Sequence, residues 1–416
     1  INLTADNLQA TVEKHHYQSL HATLNTQGTI NVFLNNNTQG DVEIDVSNAG
    51  SLNIENNSVN VQHLILSSTN HYTDAIDTVT IKGGTAHKAT IGNIAANKID
   101  IDLSKTLGLT SFKDNGTASW MVANDIKLKI SHITGTNEET IDLRMAGGRD
   151  FKADITGSVK SDKIKITKDN NVSGIENIKV SGDLGAGYDE YTLNTNSTGS
   201  TLRTIDLSGL KNVEKGTITL DALNAKNLIS LKATDGEDTV TLLNNMLSET
   251  TIRNLDVSLG AGDDTITFGT LTANKTITVS GGAGSDIFDV SNAKTDANAS
   301  KYVVVSDVGG GDKIKFGAVS SIEKIEDDVV KNKTTLKEAI NAAIAANQTP
   351  TAGDIADKVF YFTYGGDTYV VHNAASTVNG TPDTLTTDDT IVKLAGVRAD
   401  DLIATYDSTQ GTFNIN

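Results

Sequence analysis

Apolar and polar residues alternate along short segments in the N-terminal part of the chain. A period of two residues is typical of a β-strand with one buried and one solvated face. Asn and Gly separate the segments, so the series predicts either a β-sandwich or a β-solenoid. In this N-terminal part, a short helix is predicted only near residues 5–24. The predicted strands lie at residues 30–34, 42–46, 52–54, 61–66, 77–81, 99–103 and 126–130.

The pattern changes after about residue 320. Thr335 and Glu338 have the spacing of a helix-capping box, and an alanine-rich segment follows as far as residue 346. These features predict a helix. Strands are then predicted at residues 359–363 and 368–371, joined by a Gly-Gly turn, with a last strand at 388–394.

A second pattern, of glycine and aspartate, recurs in the middle of the chain. The clearest copy runs GGAGSDIFD from Gly281 to Asp289 and fits the nonapeptide G-G-x-G-x-D-x-U-x, in which U is a large apolar residue. Residues 259–267, LGAGDDTIT, repeat it with leucine in place of the first glycine. Weaker copies place their aspartates at Asp189, Asp238 and Asp312.

These corners recur at a regular spacing. From Asp189 to Asp312 the pattern-position aspartates are separated by 49, 26, 22 and 26 residues. If the first separation is two steps, the period is about 24 residues, which suits one full turn of a parallel β-solenoid. The sequence therefore predicts an all-β fold of stacked short strands, in which one type of corner returns to the same side in each turn.

The corners also have the chemistry of a calcium site. Glycine allows positive φ, so the chain can turn sharply and direct its carbonyl oxygens to one place. An aspartate adds a carboxylate, and a set of oxygen ligands suits calcium better than zinc or copper. The alternative is that the corners are ordinary Gly/Asp turns of a β protein. The carboxylates of such sites would come from the pattern-position aspartates, which are Asp189, Asp238, Asp264, Asp286 and Asp312.

Charge and composition narrow the function classes. The net charge of -18 argues against nucleic-acid binding and against adhesion to bare anionic lipid, but it suits carboxylates that bind divalent cations. With no cysteine, disulfides and thiolate metal sites are excluded. No apolar run is long enough for a membrane-spanning helix. Because the chain begins at Ile1 and shows no signal peptide, we expect a fragment whose N-terminal part is missing.

The sequence does not predict an enzyme. It contains no H-E-x-x-H, no G-x-S-x-G and no phosphate-binding loop. Its densest histidines, His15, His16 and His21, lie near a terminus, where such groups are more often solvated than bound to a metal. The aromatic content of 5% suits a solenoid with a thin core better than an enzyme with a deep aromatic pocket.

The corner pattern resembles the RTX repeats of bacterial proteins exported by type I secretion. Further segments at 173–180, 360–371 and 389–397 are similar to the C-terminal part of RTX-type surface-layer proteins, such as those of Caulobacter and Campylobacter. The resemblance implies a calcium-bound β-roll at 171–319 and a C-terminal capping and secretion-signal domain at 320–416. Carried over by position, it also implies that calcium is held by Gly260, Gly262, Asp263, Asp264, Gly281, Ala283, Asp286, Asp238, Asp189 and Asp312. Residues 1–170 would form a β-rich solenoid or sandwich.

The same resemblance implies a function. Members of that family assemble with copies of themselves into a two-dimensional lattice on the cell surface, with Ca²⁺ bound. Lipopolysaccharide would be held only through an N-terminal region that this chain lacks. The alternative is the repeat region of an RTX adhesin, or of a secreted hydrolase whose catalytic domain lies outside this chain. A lattice protein should assemble into sheets when calcium is added, whereas an adhesin or hydrolase repeat region should stay monomeric.

Overall fold

In the computed structural model the chain is nearly all β, with two helices in the described part. It forms two compact units, Ile1–Thr217 and Ile218–Asn416, here called the N-terminal and C-terminal units. The structure describes residues 2–4, 9–15, 19–25, 28–35, 40–48, 50–57, 61–68, 76–83, 88–92, 94–105, 110–111, 113–114, 117–118, 120–123, 125–131, 139–145, 150–156, 162–168, 176–185, 189–195, 202–220, 227–242, 254–271, 276–317, 319, 321–347, 357–374, 384–407 and 410–415.

The described part of the N-terminal unit consists of short strands. They are β1 (Asn2–Thr4), β2 (Gln9–His15), β3 (Ser19–Asn25), β4 (Thr29–Leu34), β5 (Gly40–Asn48), β6 (Ser51–Asn56), β7 (Val61–Ser68), β8 (Ile76–Lys82), β9 (Lys88–Ile91), β10 (Ile94–Leu103), β11 (Thr110–Ser111), β12 (Lys113–Asp114), β13 (Thr117–Ala118), β14 (Trp120–Val122), β15 (Asp125–Ser131), β16 (Glu139–Met145), β17 (Asp150–Thr156), β18 (Asp162–Lys168), β19 (Asn177–Asp183), β20 (Glu190–Thr195) and β21 (Thr204–Lys211). The boundary between the units falls within β22 (Lys215–Leu220).

These strands stack into parallel sheets. One sheet has the order β1-β4-β6-β8-β10-β15-β17-β19-β21, a second has β2-β3-β5-β7-β9-β11, and a third has β10-β14-β16-β18-β20. The pairs β1–β4 and β2–β3 are antiparallel. In-register pairing places apolar residues above one another, as in the buried column Leu52, Val79, Ile99 and Ile126. The strand alternation predicted from the sequence is confirmed, and the fold is a solenoid.

The helix predicted near residues 5–24 is wrong. The described residues of this segment belong to β2 and β3, which pair as an antiparallel hairpin. β3 then pairs in parallel with β5. Pairing with neighbouring strands satisfies backbone groups that a marginal helix would satisfy within itself, so tertiary context overrides the weak helical pattern.

The C-terminal unit contains the glycine and aspartate corners. Its elements after β22 are β23 (Ser230–Lys232), β24 (Glu237–Leu242), β25 (Leu255–Ala261), β26 (Thr265–Phe268), β27 (Ile277–Ala283), β28 (Ile287–Asp289), β29 (Val303–Val305), β30 (Lys313–Lys315), β31 (Ser321–Lys324), α1 (Asp327–Val330), α2 (Leu336–Asn347), β32 (Lys358–Tyr364), β33 (Asp367–Asn373), β34 (Thr390–Leu394), β35 (Ala404–Asp407) and β36 (Thr412–Ile415).

Four solenoid turns follow one another in this unit. Strands β23, β25, β27 and β29 form one parallel stack, and β24, β26, β28 and β30 form the other. Each turn contributes one strand to each stack, with a corner between them. The interior is a ladder of buried side chains in register, such as Val240, Ile266, Phe288 and Ile314. Burial of such a side chain is worth about 1.5–3 kcal/mol, so the ladder fixes the register of the corners.

A small α+β region covers the last turn. β34 pairs in parallel with β29 and continues through β33 and β32 to β31, while β36 and then β35 extend the other stack in antiparallel fashion. Ile340 and Ile344 of α2 are buried against Phe360 and Phe362.

Several predictions for this region are confirmed, and one is wrong. The helix begins at Leu336, and the N–H of Glu338 donates to Thr335 Oγ1 at 3.2 Å, as in a capping box. Gly365 and Gly366 form the hairpin turn, with φ of 63° and 92°. The strand at β34 is not the last, however. β35 and β36 follow it, and β36 pairs with the last solenoid turn.

Candidate metal-binding corners

Two successive corners of the solenoid depend on glycine for their sharp turn. Gly260 and Gly262 have φ of 118° and 109°, and Gly282 and Gly284 in the next turn have φ of 101° and 142°. L-residues rarely adopt such values, because a β-carbon collides with the neighbouring backbone. The glycines of the pattern are therefore needed for the backbone shape of the corner.

Stacking of the turns imposes a second requirement for glycine. A β-carbon on Gly260 would lie 1.7 Å from the carbonyl oxygen of Thr234, and one on Gly282 would lie 1.8 Å from that of Gly260. A β-carbon on Gly284 would lie 1.9 Å from the carbonyl oxygen of Gly262. Corner carbonyls thus face the glycines of the following turn, which gathers backbone oxygens along one edge of the solenoid.

Four of the predicted aspartates form a buried column along this edge. Asp238, Asp264, Asp286 and Asp312 are each at most 3% exposed. The N–H of Asp238 donates to Asp264 Oδ1 at 2.7 Å, that of Asp264 to Asp286 Oδ1 at 3.0 Å, and that of Asp286 to Asp312 Oδ1 at 3.0 Å. Every carboxylate after the first therefore bonds to the preceding turn.

The two inner aspartates differ from the two outer ones. At the ends of the column, Asp238 Oδ2 accepts the N–H of Thr234 at 2.7 Å, and Asp312 Oδ2 accepts that of Gly309 at 2.7 Å. Asp264 Oδ2 and Asp286 Oδ2 are buried and have no hydrogen-bond partner within the described part of the chain. A buried carboxylate oxygen without a partner is costly, so these two atoms mark the places where a ligand would contribute most.

Burial makes the charge on the column unfavourable. Desolvation, reinforced by the neighbouring carboxylates, raises the pKa of Asp264 to about 8 and that of Asp286 to about 6. It also raises the pKa of Asp312. The backbone N–H groups that bond to these carboxylates counteract the shift only in part. Near neutral pH the column therefore favours protons or cations that neutralise it.

Gly281 leaves space beside Oδ2 of Asp286, the oxygen without a hydrogen-bond partner in the described structure. A β-carbon on Gly281 would lie 2.1 Å from Asp286 Oδ2, so only glycine leaves room for the carboxylate here. The atoms that could bind a metal at the corner are carboxylate and backbone carbonyl oxygens, which are the ligands that calcium prefers. No cluster of three or more His, Cys, Asp or Glu side chains with metal-binding spacing occurs among the described residues. A corner site would therefore take part of its oxygens from the backbone.

Three other predicted ligands lie outside the column. Asp263 is exposed, and its Oδ1 accepts the N–H of Ser285 at 2.8 Å. Ala283 is exposed, and its carbonyl accepts the N–H of Gly262 at 2.8 Å. Asp189 is buried in the N-terminal unit. The structure thus gathers the aspartates of four successive turns and leaves Asp189 in the other unit.

The sequence analysis missed Asp307. Its carboxylate accepts hydrogen bonds from Ser280 Oγ at 2.7 Å, from the N–H of Gly281 at 2.9 Å and from that of Gly282 at 3.1 Å. Asp307, which lies in the next turn, thereby satisfies backbone amides of the corner at residues 281–286. It precedes Asp312 by the same number of residues as Gly281 precedes Asp286, so an alignment of the corners could have found it.

The geometry defines a parallel β-solenoid with a column of stacked aspartates along one edge. The chain matches no protein-family model and no curated protein. Neither helix in the described part of the chain has the length and apolarity needed to cross a membrane.

Proposed function

We propose that this chain is a calcium-binding structural protein of the RTX surface-layer type. In this proposal it is secreted by a type I system and folds outside the bacterial cell when calcium binds its corners. Copies of the chain then assemble into a two-dimensional lattice on the cell surface. In this proposal the chain itself performs no catalysis.

The observation that carries the proposal is the aspartate column with its two lone oxygens. Asp264 Oδ2 and Asp286 Oδ2 are buried anionic oxygens without a partner in the described structure, and stacked corner carbonyls lie along the same edge. A calcium ion at each would neutralise the carboxylate and satisfy these oxygens together. The ligands would be the carboxylates of the inner aspartates and the carbonyls of the corner glycines.

Calcium would act through several sites together. For extracellular-type sites with Kd of about 10⁻⁴ to 10⁻³ M, about 1 mM calcium contributes roughly 0.4–1.4 kcal/mol per site. One such site cannot fold a chain of this size. Because each ion binds only the stacked form, an ion that holds the turns together also forms the neighbouring corners, so binding should be cooperative. This favours a loose chain where calcium is scarce and a stacked solenoid where it is abundant.

The decisive experiment combines circular dichroism and light scattering across a calcium titration. The chain would be taken from chelator to about 10 mM calcium, above the weakest extracellular-type sites. A parallel magnesium titration controls for ionic strength, because magnesium requires a tighter octahedral site. Strand signal and large assemblies that appear together with calcium, and not with magnesium, would support the proposal.

Two other outcomes would count against it in different ways. A chain that folds with calcium but stays monomeric would favour the repeat region of an RTX adhesin or hydrolase over a lattice protein. A folded monomer indifferent to calcium would show that the corners are plain turns.

A further inference from the structure

A buried histidine lies where the C-terminal sheet, formed by β31, β32, β33 and β34, meets the last solenoid turn. His372 belongs to β33 and is 5% exposed. Its ring centroid lies 5.9 Å from that of Phe316, which directly follows β30 in the last turn. A change in the charge of this ring would therefore act at the joint between the two regions.

Only one nitrogen of the ring has a partner. Nε2 bonds to Oδ1 of Asp357, the residue that precedes β32, whereas Nδ1 is buried and has no hydrogen-bond partner in the described structure. Because Nε2 faces a carboxylate, the neutral ring carries its proton there. Nδ1 is then an unprotonated nitrogen enclosed by protein.

A second buried polar side chain lies on the neighbouring strand, in the residue paired with His372. His372 pairs with Thr390 of β34, and Thr390 Oγ1 is also buried without a partner in the described structure. Directly opposed residues of an antiparallel pair project from the same face with β-carbons about 4.5–5.5 Å apart. Thr390 Oγ1 and His372 Nδ1 do not bond to each other in the described structure, so a proton at Nδ1 would have no acceptor there unless the threonine side chain turned towards it.

The charged groups around the ring act in opposite directions. Asp357 favours a protonated ring, whereas Lys294, from the loop between β28 and β29, disfavours it. The carboxylate of Asp389, next to Thr390, accepts the N–H groups of Ala374 at 2.9 Å and Thr386 at 2.7 Å. Burial is the largest influence and lowers the pKa of His372 below its ordinary value of 6.5.

We propose that His372 is an acid-sensitive latch, which holds the C-terminal sheet against the last solenoid turn while the ring is neutral and loosens this joint when it is protonated. The step is the uptake of one proton from water at Nδ1. The charged ring must then either use the Thr390 hydroxyl or reach water, and reaching water requires the joint to open.

The sign of the effect separates it from the titration of the corners. A group whose pKa is lowered by folding contributes stability above its unfolded value, and this stability is lost as the pH falls through the folded value. Acid should therefore weaken the joint at His372. Asp264, Asp286 and Asp312, whose pKa values are raised by folding, respond in the opposite direction.

Hydrogen exchange of the full chain, measured by mass spectrometry, tests the latch. Exchange would be followed between pH 7.5 and pH 4.5 at constant calcium, with rates corrected for intrinsic pH dependence. Protection of residues 367–373 should fall by up to about tenfold per pH unit as the pH falls from about 6.5 towards the lowered pKa of His372, and should level off below it. Residues 277–283 of the solenoid serve as an internal reference and should not show this fall.

Three variants make the test specific. In His372→Gln the acid-dependent loss should disappear. In Thr390→Val and Asp357→Asn it should continue to lower pH and become larger, because the first removes the hydroxyl that could turn to accept the new N–H and the second removes the charge that favours protonation. An unchanged loss in His372→Gln, or none in the wild-type chain, would overturn the latch. If His372→Gln does not fold, unshifted profiles in both other variants would overturn it instead.

Discussion

Replacing Asp286 with asparagine should stabilise the calcium-free chain at alkaline pH and remove the stabilisation that calcium gives at that corner. Asparagine can still accept the N–H of Asp264, which bonds to Asp286 Oδ1 at 3.0 Å. It removes the buried charge whose second oxygen has no partner in the described structure. The variant therefore separates the charge of the column from its packing.

The magnitude follows from the raised pKa. Folding raises the pKa of Asp286 from 3.8 to about 6, chiefly because the carboxylate is buried. At 1.36 kcal/mol per pH unit this corresponds to about 3 kcal/mol, and solvent screening near the corner reduces it to about 1–2 kcal/mol. This stability is present in full below pH 3.8 and is lost as the pH rises through about 6. Wild-type and variant chains should therefore be similarly stable in mild acid and differ near pH 8.

The assay is urea unfolding followed by circular dichroism, in chelator and with about 10 mM calcium. In chelator at pH 8, Asp286→Asn should be more stable than the wild type by about 1–2 kcal/mol. With calcium the order should reverse, because the wild type gains a ligand that the variant lacks. Asp256→Asn is the matched control, since Asp256 lies exposed on β25. A variant that is less stable than wild type by the same amount at every pH, with or without calcium, would show that the charge of Asp286 is not what destabilises the calcium-free column.

Three further changes test separate parts of the structure. Gly281→Ala should abolish the calcium response without changing the charge, because its methyl group would lie 2.1 Å from Asp286 Oδ2. Gly309→Ala is the control and should retain the response in the same calcium titration, because the nearest atom to its methyl group would be 3.7 Å away. Phe288→Ala should cost about 3–5 kcal/mol in urea unfolding, because the ring is fully buried between adjacent turns, and a smaller loss would mean that the ladder collapses around the cavity. Glu338→Ala should speed amide exchange several-fold at the start of α2, because its carboxylate accepts the N–H of Thr334 at 3.0 Å; unchanged exchange would show that packing alone holds the helix.

Much of the fold could be predicted because its signals are local. Strict alternation of apolar and polar residues fixes which face of a strand is buried, and a one-residue slip would expose that whole face. The capping box at Thr335 and Glu338 and the glycine pair at Gly365 and Gly366 likewise encode their own geometry. The spacing of the corners sets the solenoid turn, because residues one period apart must stack.

The errors concern segments with weak local signals. The residues of β2 and β3 have no strong pattern, and their hairpin is stabilised by pairing with each other and with β5. β36 is short, and it forms because the last solenoid turn offers an unpaired edge at β30. In both places the partner that satisfies the backbone comes from elsewhere in the chain.

The strand alternation, the turn length and the corners that require glycine follow from the sequence alone, since each depends on a residue and its close neighbours. The hydrogen bonding of each aspartate, in contrast, depends on the tertiary structure. The folded chain gives Asp238 and Asp312 backbone donors for their second carboxylate oxygen, and it leaves Asp264 and Asp286 without such donors in the described structure. It also brings Asp307 onto the corner at residues 281–286. These differences depend on the backbone groups that neighbouring turns present, and residue spacing within one corner cannot specify them.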